Sequence, residues 1–317
     1  MAEDERAYQR QRKAYHVLHA ASRVLMKWLL NFEGEPAPVA EGPLLVLSNH
    51  VTDFDPLLVG ISFPRHMYFV AGENVMRMGF FSKIIARYAS LIQRVKGTTD
   101  AEAALQILRT LKKGRSVCMF AEGSRTFTGE TLPIAPATAK LVKLARTTLV
   151  TYRLKGGYLS TPRWSAHRRK GRMSGGPVGV YSPEELKGMS ESEISDLLRR
   201  DLYENAYETQ KKDPVAYKGK ALAETLGEEA AFSDDGQTLN RKEDDHTLTP
   251  LGTGTMALYR DRLTVGEYSF PLKELRGIGL IQRQGMVFST ADADYAITAS
   301  RLRCVRKYHT LFAYLKR

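Results

Sequence analysis

The sequence predicts an α/β fold, a mixed and largely parallel sheet flanked by helices, followed by a small, mainly-β C-terminal module. Three observations predict it. Between Leu44 and Tyr152, apolar runs of strand length alternate with helical patterns, and such alternation builds parallel sheets. Two polar motifs, Ser48-Asn49-His50-Val51-Thr52-Asp53-Phe54-Asp55-Pro56 and Phe120-Ala121-Glu122-Gly123-Ser124-Arg125-Thr126, each follow directly on an apolar run. The carboxyl ends of strands are where an open α/β sheet places its ligands. From Thr255 onward the texture becomes short alternating runs, the pattern of hairpin-connected strands.

The elements follow in order. Residues 6–31 read as an amphipathic helix, with Ala14, Val17, Leu18, Ala21, Val24, Leu25, Trp28 and Leu29 on one face and Arg12, His16, His19, Arg23 and Lys27 on the other. Two placements fit it: packed on the domain, or lying in a membrane interface with its basic face in water. Asn31 to Pro36 ends it. Strand candidates are Leu44 to Leu47, His66 to Ala71, Ala89 to Ile92, Val117 to Phe120 and Thr148 to Tyr152. Helical patterns lie between them at Asp55 to Ile61, Met78 to Tyr88, Thr99 to Lys112 and Ala135 to Ala145, and a helix pair opens at Ser182-Pro183-Glu184-Glu185. These elements make residues 1–212 the first domain. Residues 213–250 are polar, acidic and weakly periodic and read as a linker or irregular segment. Residues 251–317 read as a small β module that ends in a helix carrying Leu302, Val305, Tyr308, Leu311, Phe312 and Leu315, similar in pattern to a pleckstrin-homology fold.

A chain of 317 residues with 43% hydrophobic content has room for one large domain or two ordinary ones. No apolar stretch reaches the roughly 18 residues a spanning helix needs. The polar N-terminus, Met1-Ala2-Glu3-Asp4-Glu5-Arg6, is not a secretory signal. The two cysteines, Cys118 and Cys304, read as small buried hydrophobes in a reducing compartment, and no metal site is expected. The net charge of +12 points to an anionic partner. Basic residues cluster between Arg163 and Arg172 beside Trp164, which suits a loop touching lipid headgroups through Arg168 and Arg169. Nucleic acid would be the other partner for such charge, but this run is short and no nucleic-acid-binding pattern accompanies it.

His50 and Asp55 are the candidate catalytic pair. A histidine at a strand end, beside a carboxylate that can orient its ring, is suited to take a proton from a hydroxyl. The bland reading of the same stretch is a helix N-terminus capped by Asp53 or Asp55, with His50 a loop residue. Glu122 to Arg125 alone would read as a charged turn. Together, in this order, the two motifs resemble those of the glycerophospholipid acyltransferases, the group that contains the 1-acyl-glycerol-3-phosphate acyltransferases. That family's N-H-x4-D is matched by Asn49, His50 and Asp55, and its E-G-T-R by Glu122, Gly123, Ser124 and Arg125 with serine for threonine. Gly79 to Arg94 looks like the glycine-rich stretch between them, and Gly156-Gly157-Tyr158 with Pro162-Arg163-Trp164 looks like one branch of bacterial relatives. The resemblance spans roughly residues 10 to 210.

The resemblance implies a glycerolphosphate acyltransferase-like fold and transfer of a fatty acyl group from an acyl thioester, on acyl carrier protein or coenzyme A, to the hydroxyl of a lysophospholipid. Lysophosphatidate is the expected acceptor, with glycerol-3-phosphate or another lysophospholipid as alternatives. His50 is then the general base and Asp55 its orienting group. Arg125 and Arg94 are the expected phosphate ligands, with Glu122, Gly123 and Ser124 in the same site and Asn49 supporting the first motif. No cofactor is expected beyond the thioester substrate. Two departures from the family stand out: Ala71-Gly72-Glu73-Asn74-Val75 lacks an early lysine, and Leu149-Val150-Thr151-Tyr152 lacks a proline. The expected location is the cytoplasmic face of the cell membrane, held peripherally by Val17, Leu25 and Trp28 of the N-terminal helix, with an anionic membrane surface as partner. A non-catalytic anionic-lipid-binding protein is the competing reading, although such a protein has no need of the His50 and Asp55 pair.

Overall fold

The computed structural model describes residues 2–37, 41–72, 90–94, 100–126, 129–161, 173–206, 232–243, 247–281 and 285–298, together with 308, 310–312 and 314. The chain divides into two compact units, the first made of Met1–Arg125, Thr131–Lys155 and Gly171–Glu204, the second of Thr126–Glu130, Gly156–Lys170 and Asn205–Arg317.

In the first unit, α1 (Ala2–Leu30) leads to β1 (Glu33–Gly34), β2 (Leu44–Ser48), α2 (Asp55–Ser62), β3 (Met67–Gly72), β4 (Leu91–Arg94), α3 (Asp100–Lys112), β5 (Ser116–Phe120), α4 (Pro136–Ala145) and β6 (Thr148–Lys155). After the one-turn helix α5 (Gly157–Ser160), which belongs to the second unit, come β7 (Ser174–Tyr181), α6 (Pro183–Gly188) and α7 (Glu191–Leu202). The seven strands form one sheet in the order β1-β7-β6-β2-β5-β3-β4. From β6 to β4 every pairing is parallel, and β7 runs antiparallel to β6.

Alternation along the strands explains the layers. Leu45 and Leu47 of β2 join Val117, Leu149 and residues of α3, α4 and α7 on one face. Leu44 and Val46 join Cys118, Val150 and Tyr152 with Leu58, Val59 and Ile61 of α2 and Met26 of α1 on the other. A sheet buried on both faces needs continuous apolar strands, which is how β2, Leu-Leu-Val-Leu-Ser, reads. Local chemistry sets the helix ends. α1 closes at Asn31, held at φ 49°, where asparagine is one of the few side chains tolerated. α6 and α7 each open on a capping box, Ser182 with Glu185 and Ser190 with Glu193.

β7 is a strand the sequence conceals, because Ser174-Gly175-Gly176-Pro177 has the composition of a loop. Its glycines serve close packing. A Cβ on Gly175 would lie 2.7 Å from the Tyr152 Oη, so the strand fits against β6 only without side chains there.

The second unit contains a seven-stranded antiparallel sheet in the order β11-β10-β9-β8-β14-β13-β12. Its strands are β8 (Phe232–Lys242), β9 (Leu248–Leu258), β10 (Arg262–Val265), β11 (Tyr268–Pro271), β12 (Gly277–Ile281), β13 (Gly285–Ser289) and β14 (Asp294–Thr298). Helical Tyr308, Leu311 and Phe312 are buried in its core, at the spacing expected of a closing helix. The linker expected over 213–250 requires correction at its end: 232–242 is β8, a central strand, and β9 begins at Leu248. A bulge at Asp234–Gln237 breaks the period-two alternation that marks a strand, and polar pairs such as Thr238 with Thr253 serve its outer face. The helix expected at Met78 to Tyr88 and the position of Cys304 lie outside the described residues.

Leu45 is fully buried in the central strand. Leu45→Ala is expected to destabilise the α/β unit by about 2–5 kcal/mol, read as a lower urea midpoint by circular dichroism.

Candidate active site

β2 and β5 are parallel neighbours with Ser48 opposite Phe120. His50 and Glu122 therefore leave the same edge of the sheet side by side, each two residues past a paired strand end. α2 packs on one face of the sheet and α3 and α4 on the other. The loops after β2 and β5 thus turn to opposite sides and leave a crevice at the strand ends, as expected of an open α/β sheet.

Asn49 fixes the exit from β2. Its side chain donates to the Leu154 carbonyl at 2.9 Å and accepts from the Leu154 amide at 2.7 Å, extending the ladder to β6 by one amide. His50 Nδ1 then lies 2.8 Å from Asp55 Oδ2. Asp55 is wholly buried. The same Oδ2 accepts from the backbone amides of Val51 at 2.5 Å and Thr52 at 2.8 Å, and Oδ1 accepts from the Thr52 hydroxyl at 2.6 Å. A carboxylate is an acceptor at both oxygens, so the proton of the His50 contact sits on Nδ1 and Nε2 is left as the basic nitrogen. The imidazole also stacks on Phe120, centroids 4.1 Å apart and planes 16° from parallel. Two groups thus hold the ring, one in its plane and one across its face. Asp55 does not cap α2. The capping position is Phe54, which makes no side-chain cap bond, and Asp55 is the first helical residue, turned back on the loop.

Glu122 ties the two motifs together. Its Oε1 accepts from the His50 amide at 2.6 Å and its Oε2 from the Leu132 amide at 2.5 Å. Burial pushes its carboxyl up to about 8 against the pull of these two amides. The turn that follows needs Gly123, held at φ 67°. Ser124 is exposed. Arg125 Nη1 reaches back across the crevice to Asp53 Oδ1, a pairing between the two motifs that sequence reasoning missed. Phe120 and Thr52 were missed as well. The only sequence signal for the three is their nearness to His50 and Glu122.

Of the other expected site residues, Arg94 is the last residue of β4 and opposes Gly72 of β3. It shares the carboxyl edge of the sheet but lies three strands from β2, or about 14 Å at ordinary strand spacing. Val17, Leu25 and Trp28 lie on α1 and are exposed. α1 packs through its other side: the Tyr15 hydroxyl donates to the Phe63 carbonyl, His19 Nε2 lies 3.0 Å from the Ile61 carbonyl, and Met26 is buried. Arg168 and Arg169 lie outside the described residues. Among the described residues, no group of three His, Cys, Asp or Glu side chains is placed to hold a metal ion.

A parallel α/β sheet whose strand ends carry a carboxylate-held imidazole has the geometry of a general-base group-transfer site. Residues 29–155, which contain both motifs, match the family model described as Acyltransferase. Among solved structures, the 1-acyl-sn-glycerophosphate (LPA) acyltransferase PlsC from Thermotoga maritima is similar over 62% of this chain and 81% of that one, at 16% identity and a TM-score of 0.47.

Glu122 makes stability depend on pH. Its folded value of about 8 stands above the ordinary 4.5, so its contribution is full below about 4.5 and lost as pH rises through about 8. Urea midpoints measured from pH 4 to 9 are expected to fall across that window, and the fall is expected to be smaller in Glu122→Gln.

Proposed function

We propose that this acyltransferase moves a fatty acyl group from an acyl thioester to the free hydroxyl of 1-acyl-glycerol-3-phosphate, yielding phosphatidic acid at a membrane surface. The observation that carries the reading is the His50 and Asp55 pair, with Asp55 buried and His50 Nδ1 at 2.8 Å. In this mechanism His50 Nε2 takes the acceptor hydroxyl proton as that oxygen attacks the thioester carbonyl carbon. The tetrahedral intermediate collapses by breaking the carbon–sulfur bond, and the imidazolium returns its proton to the departing thiolate. Asp55 keeps Nδ1 protonated and stabilises the transient imidazolium. The substrate hydroxyl is the nucleophile, so no acyl-enzyme forms.

Arg125 is the phosphate ligand in this reading, since it sits across the crevice from His50 and a guanidinium can bind phosphate through two parallel N–H bonds. Arg94 is a more distant candidate on the same edge. The donor is an acyl group on acyl carrier protein or coenzyme A, both acidic, and the net charge of +12 suits either.

The membrane belongs to the same proposal. Val17, Val24 and Trp28 of α1 are each more than 70% exposed, while the helix packs through Tyr15, His19, Ser22 and Met26. An apolar helix face turned outward beside Arg23 and Lys27 is the pattern of an interfacial helix. No described helix is long and apolar enough to cross a membrane. The cytoplasmic face of the cell membrane, rich in anionic lipid, is the surface such a helix would meet.

Purified wild-type protein is expected to acylate labelled lysophosphatidate in mixed micelles with one of the two donors. Folded His50→Ala is expected to lose at least about 100-fold in kcat, the contribution of a positioned general base. Full activity in His50→Ala would refute the mechanism, and no product with either donor would favour another acceptor or a binding role. Val24→Glu/Trp28→Glu is expected to lose sedimentation with anionic vesicles while keeping its circular dichroism spectrum, and unchanged sedimentation would remove α1 as the membrane contact.

A further inference from the structure

We propose that Asp53 is a built-in competitor for the acceptor phosphate, occupying the guanidinium of Arg125 until the substrate displaces it. The inference rests on the reading of Arg125 as a phosphate ligand. The juxtaposition behind it is specific. Asp53 lies in the loop between His50 and Asp55, and Arg125 ends the motif that follows β5. The two side chains meet across the crevice as an ion pair.

This pair is not what holds the loops together. Asp55 already fixes the first loop through four hydrogen bonds, and Glu122 already joins it to the second through the His50 amide. The Asp53 side chain is 71% exposed and that of Arg125 24%. The carboxylate therefore reaches in from water to a cation that the fold holds more firmly. An ion pair so exposed is weak. A phosphate can offer the guanidinium two oxygens and up to two charges, enough to displace a mostly exposed carboxylate from it. Until that happens, Asp53 occupies an anion-binding face of Arg125 three residues from the proposed base. It raises the acceptor concentration needed to fill the site.

The test is binding and turnover of 1-hexanoyl-glycerol-3-phosphate, a soluble phosphate-bearing acceptor, by the full chain. Asp53→Asn keeps the shape of the side chain and removes its charge. It is expected to tighten the calorimetric Kd by about 3- to 5-fold, the size of a weak exposed ion pair, and to shift KM by a similar factor. Monohexanoylglycerol, which lacks the phosphate, is expected to show no such gain. In an Arg125→Ala background, Asp53→Asn is expected to gain nothing. Weaker binding by Asp53→Asn would make Asp53 a brace for Arg125 and overturn the proposal. An unchanged Kd, or a gain that survives in Arg125→Ala, would overturn it as well. If Arg125→Ala binds the phosphate ligand as tightly as wild type, the reading of Arg125 has failed and the competitor role fails with it. If Arg125→Ala binds weakly while Asp53→Asn matches wild type, only the competitor role has failed. Absence of turnover with the binding pattern intact would overturn the reaction and leave the competitor role supported.

Discussion

The candidate site depends on one buried carboxylate. A bare carboxylate taken out of water is strongly disfavoured, and Asp55 is fully buried. Its position is tolerable because the loop wraps around it: the amides of Val51 and Thr52, the Thr52 hydroxyl and His50 Nδ1 all turn to its two oxygens. These bonds define the loop conformation and the start of α2, and they leave the imidazole one orientation. The cost of burying Asp55 is thus offset by the same contacts that place His50. A neutral residue there would free two backbone amides in a dry environment as well as the ring.

The parallel sheet multiplies this effect. Parallel neighbours end at the same edge, so residues distant in sequence emerge together once their strands pair in register. Ser48 opposite Phe120 brings Phe120 under the His50 ring and Glu122 to the His50 amide. Asn49 ties the same loop to β6 through Leu154. The loop after β2 is therefore anchored on both flanking strands and on the helix that follows it. Rigid support of this kind would keep the proposed base within hydrogen-bond reach of a bound hydroxyl. Glu122 serves the architecture by receiving amides with both oxygens, and Arg125 is the member of its motif whose charge reaches the crevice.

Much of this was legible in the sequence because it is written in local patterns. β2 and β5 read as buried strands because both of their faces are covered. α6 and α7 are announced by serine caps and glutamates three residues on. His50 and Asp55 were legible only with the second motif beside them, because their spacing alone would equally read as a capped helix start. What the sequence withheld depends on pairing between distant segments. β7 hides behind glycines, of which Gly175 admits Tyr152, and β8 behind a bulge and a polar outer face. The contacts from Phe120 to His50 and from Asp53 to Arg125 arise only from the register of two strands, which no local window contains.

The N-terminal helix shows the limit of periodicity in another way. Its apolar stripe is plain in the sequence, and in most amphipathic helices such a stripe faces the core. Here the body is engaged by Tyr15, His19, Ser22 and Met26, while Val17, Val24 and Trp28 face outward. Tyrosine and histidine can do this because each carries a polar atom to a backbone carbonyl and an apolar ring to the surface. Once those contacts dock the helix, the stripe stays exposed among the described residues, and the free energy of covering it remains to be gained elsewhere. For an enzyme whose proposed acceptor and product are both lipids, the bilayer that carries them is the surface that would supply it.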